Sequence, residues 1–155
     1  MNKYLKMISS ISLTLLVGFA GSYFTMGSIE SWYIDLNKPS FNPPNWIFGP
    51  VWTILYILIG ISFYLIWMKG FGAEKSKVKI VYFLQLLLNF SWSFTFFYLQ
   101  NPLYGLVNII LLWLIIIYNI ILFYKIDKKA GSIMIPYLLW VTFASALNLS
   151  LYILN

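Results

Sequence analysis

The sequence contains no cysteine, no histidine and no arginine in its 155 residues, and only 9% of these residues are charged. A soluble domain carries about a quarter. Without cysteine and histidine the chain cannot form a disulfide scaffold, a Cys/His zinc site or a catalytic centre built on either residue. We therefore expect no metal site and no cofactor. Apolar side chains (61%) and aromatic side chains (21%, with 7 Trp) are abundant instead, which excludes a disordered chain.

Charged residues are confined to short clusters, which leave four long stretches of the chain uncharged. These stretches run from Lys6 to Glu30, from Lys38 to Lys69, from Lys79 to Lys125 and from Lys129 to Asn155. Each contains apolar runs of about 20 residues, the length at which a helix crosses a bilayer. The third stretch must contain two spans, because Gln100–Gly105 has the composition of a turn.

We predict an all-α membrane protein, a bundle of five transmembrane helices that forms a single domain over residues 1–155. The predicted helices are about 4–26, 47–68, 79–100, 103–124 and 132–153. A β-barrel would need segments of about 10 residues with alternating polarity, whereas the run from Ile109 to Ile117 is apolar throughout. The first helix resembles a secretory signal, but it is long enough to span and four more spans follow, so we expect no cleavage.

Nine of the ten lysines fall on one side of this bundle. They are Lys3, Lys6, Lys69, Lys75, Lys77, Lys79, Lys125, Lys128 and Lys129, and the other side carries only Lys38. The positive-inside rule then predicts a cytoplasmic N-terminus and an outside C-terminus in the cell membrane. The net charge of +6 does not indicate a nucleic-acid partner, because the lysines flank membrane spans and form no binding face. Membrane lipid is the expected surrounding.

The longest connection, residues 27–50, is rich in proline and aromatic residues. It contains Pro39, Pro43, Pro44 and Pro50, together with Trp32, Tyr33, Phe41 and Trp46. Two interpretations stay open: an aromatic belt at the membrane interface, or a lid, residues 27–46, over a cavity between the helices. The stiffness of four prolines favours the lid. A helix can begin at Pro44, with Asn42 or Asn45 as its candidate cap.

Three predicted helices carry aromatic, small or amide residues on one face. These stripes are Trp52, Tyr56 and Gly60 on the second helix, Gln85, Asn89 and Trp92 on the third, and Trp140, Ala144, Leu147 and Asn148 on the fifth. If the stripes meet, they form an aromatic-walled slot that suits a planar, largely apolar ligand. Small and amide residues can also hold helices together without a ligand. The bulky indoles of Trp52 and Trp140 are harder to explain in that way.

Two further features bear on function. Asn108 and Asn119 on the fourth helix are interpreted as packing or oligomer contacts. Away from its ends, no predicted span carries Asp, Glu, Lys or Arg, although ion-coupled transporters place such groups in the middle of the membrane. This absence argues against ion-coupled transport, and leaves passive movement of an apolar ligand open.

A motif spread along the chain resembles the signature of the translocator protein family (TspO/MBR), whose members include bacterial tryptophan-rich sensory proteins and animal peripheral-type benzodiazepine receptors. Its first part is Trp32-Tyr33…Leu36-Asn37-Lys38-Pro39-Ser40…Pro43-Pro44…Trp46…Gly49-Pro50-Val51-Trp52…Leu55-Tyr56…Gly60. It continues with Gln85…Leu88-Asn89…Trp92…Phe96-Phe97 and Pro136-Tyr137-Leu138…Trp140…Phe143-Ala144…Leu147-Asn148. The resemblance covers nearly the whole chain.

The resemblance implies a five-helix bundle, often a homodimer, that binds protoporphyrin IX or a related tetrapyrrole and synthetic isoquinoline carboxamide or benzodiazepine-type drugs. The family's ligand positions match Trp32, Trp46, Trp52, Asn89, Trp92, Trp140, Ala144 and Leu147. The predicted ligand-binding set also includes Tyr56, Phe90 and Phe143. Some bacterial relatives degrade protoporphyrin IX in light, which makes Trp52 and Trp140 candidate catalytic residues.

The sequence departs from the family at several positions. Phe90 replaces a Trp found in many relatives, and Asn42 and Asn45 stand where animal members have His. Tyr152 lacks the following basic residue of a proposed cholesterol motif. Three functions stay open: a porphyrin receptor or sensor, a light- and oxygen-dependent porphyrin-degrading enzyme, and a passive translocator of porphyrin or sterol-like lipids. For a bound porphyrin, we expect the propionates near Lys38 and the start of the second helix.

Overall fold

The computed structural model describes all 155 residues and contains six α-helices and no β-strand. The helices are α1 (Lys3–Ile29), α2 (Phe48–Met68), α3 (Lys75–Ser93), α4 (Pro102–Ile126), α5 (Lys128–Ile133) and α6 (Ile135–Leu154). They form five segments that are long and apolar enough to cross a membrane, with α5 and α6 together making the fifth. The predicted all-α bundle of five transmembrane helices is confirmed.

The fifth segment is the one whose interior differs from the prediction. A short helix, α5, precedes α6, and the two are separated at Met134. Pro136 lies in the first turn of α6. Proline has no backbone N–H, and its ring clashes with the carbonyl four residues earlier, so a continuous helix cannot pass through this position.

The connections at the two ends of the third helix also differ slightly from expectation. Helix α3 begins at Lys75, and its last turn, Phe94–Tyr98, widens into a π-helix. The turn to α4 is only residues 99–101, where Gln100 adopts a left-handed backbone with φ of 50°. Asn101 caps α4, its Oδ1 accepting from the N–H of Leu103 and Tyr104.

The helices follow the order α1, α2, α5 with α6, α4, α3 around the bundle, and α3 closes the ring against α1. The N-terminus, the α2–α3 connection and the α4–α5 connection lie at one end, called the basic end because it carries nine lysines. The other end, called the loop end, carries residues 30–47 and the C-terminus. The bundle is tightly filled toward the basic end, where Ile59, Ile66, Tyr82 and Phe123 are fully buried.

Helices α1 and α2 meet closely in the basic half of the bundle. A Cβ atom at Gly60 would lie 2.7 Å from Cα of Ile11, so only glycine allows the two backbones to approach this far. One turn away, Thr14 Oγ1 donates to the carbonyl of Tyr56 at 2.7 Å. At Gly18 the ring of Tyr56 occupies the space that a Cβ would need. This seam closes the α1–α2 interface below Tyr56.

Helix α2 contacts α5 closely but diverges from α6. Ser62 Oγ donates to the Ala130 carbonyl at 2.7 Å and so joins α2 to α5 at the basic end. Between α2 and α6 there are few contacts. The break at Met134 thus separates a short helix that packs against α2 from a longer one that leaves space beside it, and this space contains the candidate site.

Candidate ligand-binding site

A cavity of about 590 Å³ lies in the loop half of the bundle, between α1, α2, α3 and α6 and below residues 30–47. Its aromatic lining consists of Phe19, Tyr33, Phe48, Trp52, Tyr56, Trp92, Phe96, Phe97 and Trp140. Small-molecule sites typically measure about 300–1,000 Å³, so this volume suits a drug-sized or larger planar molecule.

Two helices supply the stacked aromatic wall. Trp52 and Tyr56 are four residues apart on α2, and their rings stack at 5.7 Å between centroids. Trp52 also approaches Trp92 of α3 at 6.4 Å, with the planes tilted by 32°. The indole N–H of Trp92 donates to Asn148 Oδ1 of α6 at 3.0 Å, which fixes its orientation. The wall therefore presents flat faces at a set angle.

Amide and phenol groups at the floor form one hydrogen-bonded chain across three helices. Tyr56 OH donates to Asn89 Oδ1 at 2.5 Å, and Asn89 Nδ2 donates to Tyr137 OH at 2.8 Å. Tyr137 OH donates in turn to Gln85 Oε1 at 3.0 Å. In a membrane an unpaired polar group is costly, so this chain fixes the positions of α2, α3 and α6 at the bottom of the cavity.

Trp140 differs from the other indoles of the wall. Its ring lies 6.1 Å from that of Phe48, and its Nε1 is buried without a hydrogen-bond partner. It is the one cavity-lining residue with such an unpartnered buried atom. A buried N–H without a partner is destabilising, and this one is enclosed by the protein and does not open onto the cavity.

The cavity lining contains no charged side chain, and its polar groups are amides, hydroxyls and indoles. Such a surface carries no formal charge at neutral pH. It favours a ligand with extended apolar faces and a few hydrogen-bonding atoms.

The loop above the cavity is held by a small set of hydrogen bonds. Tyr33 is 3% exposed, and its OH donates to Asn42 Oδ1 at 2.8 Å. Burial raises the pKa of Tyr33 to about 12. At the C-terminus, Asn155 donates to the carbonyl of Asn37 at 3.0 Å and accepts from its N–H at 2.9 Å.

The sequence predicts Asn42 or Asn45 as the cap of α2, but neither residue caps this helix. Asn45–Ile47 is a short 3₁₀ turn, and α2 begins at Phe48 without a side-chain cap. Asn42 is used instead by Tyr33, so the expected cap is wrong because the asparagine is recruited by the loop's own aromatic residue. The start of α2, where the Phe48 N–H donates to the Asn45 carbonyl, borders the cavity at Phe48 and Gly49.

Lys38 does not line the cavity. Its Nζ donates to the carbonyls of Ile34 and Leu36 at 2.9 and 3.0 Å and lies 5.0 Å above the Tyr33 ring. Its charge is thus engaged in shaping the loop.

The structure brings most of the predicted site residues together. Those that line the cavity are Trp52, Tyr56, Asn89, Trp92, Trp140, Ala144 and Leu147. The other four predicted residues lie outside the lining. Trp46 is 73% exposed, and Trp32 packs edge-on against Phe96 while lining a shallower groove near the C-terminus. Phe90 packs on Phe24 of α1, and Phe143 lies behind Trp140 at 5.3 Å.

Helix α1 supplies a wall for which the sequence-based prediction names no residue. Gly18, Ser22 and Thr25 line the cavity together with the apolar residues Phe19 and Met26. The small and hydroxyl residues are spaced four and three apart, the same pattern that identified the stripes on the other helices. That spacing was the available signal.

Comparison with known proteins identifies the family of this chain. The sequence profile of the TspO/MBR family matches residues 10–154 of the chain. The chain belongs to the TspO/MBR family. A tryptophan-rich protein TspO of Archaeoglobus fulgidus is 52% identical over 151 residues, covering 97% of each chain.

Other members of the TspO/MBR family are similar over most of their length. A protein of the same name from Chlorobaculum tepidum is 45% identical, covering 100% of this chain and 99% of the relative. The human translocator protein is 36% identical, covering 84% of this chain and 78% of the relative. TspO/MBR membership and five apolar helices make this an integral membrane protein, and the family supports a receptor or translocator role related to porphyrins.

Proposed function

We propose that this protein is a membrane receptor or sensor that binds protoporphyrin IX or a related tetrapyrrole between its helices, below residues 30–47. The observation that carries the proposal is the meeting of Trp52, Trp92 and Trp140 around an uncharged cavity of about 590 Å³. Their rings offer faces for stacking on a macrocycle. Isoquinoline carboxamide drugs present similar chemistry.

The orientation of the macrocycle follows from its two acidic groups. Propionates are costly to bury, so they are expected at the loop end, where the 3₁₀ turn Asn45–Ile47 leads into α2 and Asn45 lines the cavity. Because the chain has neither His nor Cys, the usual axial ligands of haem iron are missing. We expect the metal-free porphyrin to gain its affinity from its faces, with no added contribution from iron.

Fluorescence titration with protoporphyrin IX tests the proposal. The double variant Trp52→Phe/Trp140→Phe replaces two indoles with smaller rings that offer less stacking area, and its affinity should fall about tenfold, roughly 1.4 kcal/mol. A matched control, Trp67→Phe/Trp113→Phe, removes two indoles outside the cavity and should keep wild-type affinity. Equal affinities for the two double variants would contradict the proposal.

Light-driven degradation of the bound porphyrin is the second candidate function. Trp52, with the Tyr56 and Trp92 rings 5.7 and 6.4 Å away, is favoured as a one-electron donor to the excited porphyrin. The porphyrin anion passes this electron to O2, the Trp52 radical cation takes an electron back from the macrocycle, and the porphyrin cation combines with the superoxide, so that O2 is the net oxidant and Trp52 is restored. Illumination in air should bleach protoporphyrin IX to a defined product with wild type. The Trp52→Phe/Trp140→Phe variant should yield less of it at equal ligand occupancy. An identical product and rate with wild type and the double variant would show that the two tryptophans do not take part in the degradation.

The translocator role would need movement through the basic half of the bundle, where residues such as Ile59 and Ile66 are fully buried. Flux of fluorescent porphyrin into sealed vesicles, compared with empty vesicles, tests it.

The homodimer implied by the family is tested by the mass of the protein in detergent. The proposed setting is the cell membrane, with the N-terminus in the cytoplasm.

A further inference from the structure

We propose that ligands reach the cavity sideways from the hydrocarbon of the membrane, through a slot between the loop halves of α1 and α2, and not by lifting residues 30–47. The inference rests on the proposed function, because it concerns the route to the same cavity. The slot is bounded by Phe19 and Met26 of α1 and by Gly49 and Thr53 of α2.

These four residues line the cavity and are also exposed on the outside of the bundle. Phe19 is 78% and Met26 is 75% exposed, and Gly49 and Thr53 are exposed as well. A residue that faces both the interior space and the surroundings lies at an opening. Because these positions belong to spanning helices, the opening faces lipid.

The shape of the α1–α2 interface explains why the slot is confined to the loop half. Below Tyr56 the two backbones are joined at Gly60 and by the Thr14 hydrogen bond. At Gly18 the Tyr56 ring wedges between the helices. From this wedge toward the loop end, α2 presents Gly49, where an added Cβ would meet nothing within 4 Å. The interface is therefore closed at one end and open at the other.

The chemistry of the slot suits an apolar planar molecule. Its hydroxyl groups are already satisfied within their own helices, since Thr53 donates to the Gly49 carbonyl at 2.9 Å and Ser22 to the Phe19 carbonyl at 2.7 Å. Met26 has an unbranched, flexible side chain that can move aside at little cost. A ligand passing here meets apolar side chains or hydroxyl groups that are already hydrogen-bonded. Apolar planar ligands are also concentrated in the bilayer, next to the slot.

The alternative route under the loop would break several contacts at once. Tyr33 is bonded to Asn42, and Asn37 is bonded twice to Asn155. Opening the loop exposes the buried Tyr33 ring as well. The sideways route leaves all of these contacts intact.

The cysteine-free chain permits a direct kinetic test. Thr53→Cys, labelled with a bulky maleimide, obstructs the slot, and Met26→Cys provides a second attachment on the opposite edge. Leu111→Cys, on the exposed face of α4, carries the same label as a control. Asn37→Cys/Asn155→Cys, oxidised to a disulfide, locks the loop. Association and dissociation of protoporphyrin IX are followed by stopped-flow fluorescence in vesicles.

Labelling at Thr53 or Met26 should slow association and dissociation by a similar factor, about tenfold or more, because a barrier acts on both directions. The labelled Leu111→Cys and the locked loop should keep wild-type rates. Unchanged rates after labelling at both slot positions would overturn the sideways route, and so would a slow association confined to the locked loop. Failure of the wild type to bind porphyrin saturably would instead overturn the proposed function.

Discussion

At the scale of single residues, Asn89 is the joint of the cavity floor. Its amide accepts from Tyr56 and donates to Tyr137, which brings side chains from α2, α3 and α6 to one point. No other side chain in the cavity lining bonds to two aromatic hydroxyls. Both the shape of the cavity and the stability of the bundle should therefore depend on it.

Replacing Asn89 with Leu keeps the number and branching of the heavy atoms and removes both hydrogen bonds. Interhelical hydrogen bonds in membranes contribute about 0.6–2 kcal/mol each, so we expect a loss of roughly 1–3 kcal/mol and a lower melting temperature in detergent. Tyr56→Phe removes only one of the two bonds and should cost about half as much. Circular dichroism on heating measures the melting temperatures of both variants. Equal stability of Asn89→Leu and wild type would show that these hydrogen bonds do not stabilise the bundle.

A second residue-scale prediction concerns the α1–α2 seam. Gly60→Ala places a Cβ 2.7 Å from Cα of Ile11, and the backbones must separate, which should cost about 1–3 kcal/mol. Gly27→Ala is the matched control, because a Cβ there meets nothing within 4 Å and alanine favours the helix. The expected order of melting temperatures is Gly27→Ala at or above wild type, and Gly60→Ala clearly below. The reverse order would contradict the close approach.

The sequence predicts the membrane-embedded part of this site well, for a simple physical reason. Within a helix, spacing fixes which face a side chain occupies, and the stripes containing Trp52, Asn89 and Trp140 line one cavity. In the loop no such rule holds. Trp32 and Trp46 belong to the same motif, but their directions are set by two short 3₁₀ turns and by the Tyr33–Asn42 bond, which spacing does not reveal.

At the scale of elements, the connection 30–47 is held closed by side chains more than by secondary structure. Tyr33 fills the space below the loop, with its hydroxyl on Asn42 and the Lys38 ammonium 5.0 Å above its ring. The sequence predicts a stiff lid at about 27–46, and the connection begins slightly later because α1 continues to Ile29. Its role as a cover over the cavity stays a prediction, and the sideways route proposed above does not require the cover to open.

Ionisation of Tyr33 should loosen this connection. Because burial raises its pKa from about 10 to about 12, the buried neutral phenol stabilises the closed loop fully below pH 10 and progressively less as the pH rises to about 12. A fluorescent probe on Ser40→Cys should show falling anisotropy over this interval. The same probe in a Tyr33→Phe background, which cannot ionise, should show a flatter profile. Parallel profiles would exclude Tyr33 as the titrating group.

At the scale of the whole molecule, the charge distribution and the helix count predict one orientation in the membrane. The basic end carries nine lysines and the loop end one. An odd number of spans places the termini on opposite sides, and five spans are confirmed. The break before α6 is not predicted from the charge pattern, because uncharged stretches locate spans but do not reveal interruptions inside them.

Labelling of single cysteines in intact cells tests the orientation. A membrane-impermeant maleimide should react with Ser40→Cys from outside and with Lys128→Cys only after the cells are opened. The absence of native cysteine means that only the introduced residue of this protein can react. Reaction of Lys128→Cys in intact cells, with Ser40→Cys protected, would establish the inverted topology.

The close seam at Gly60 makes the cavity a chamber with a blind end. A ligand bound above Tyr56 cannot move toward the basic end between α1 and α2 without separating backbones that are already in contact. Occupancy would then follow the chemical potential of the ligand in one leaflet only. In the proposed orientation the protein would sample the outer half of the bilayer and ignore the inner half.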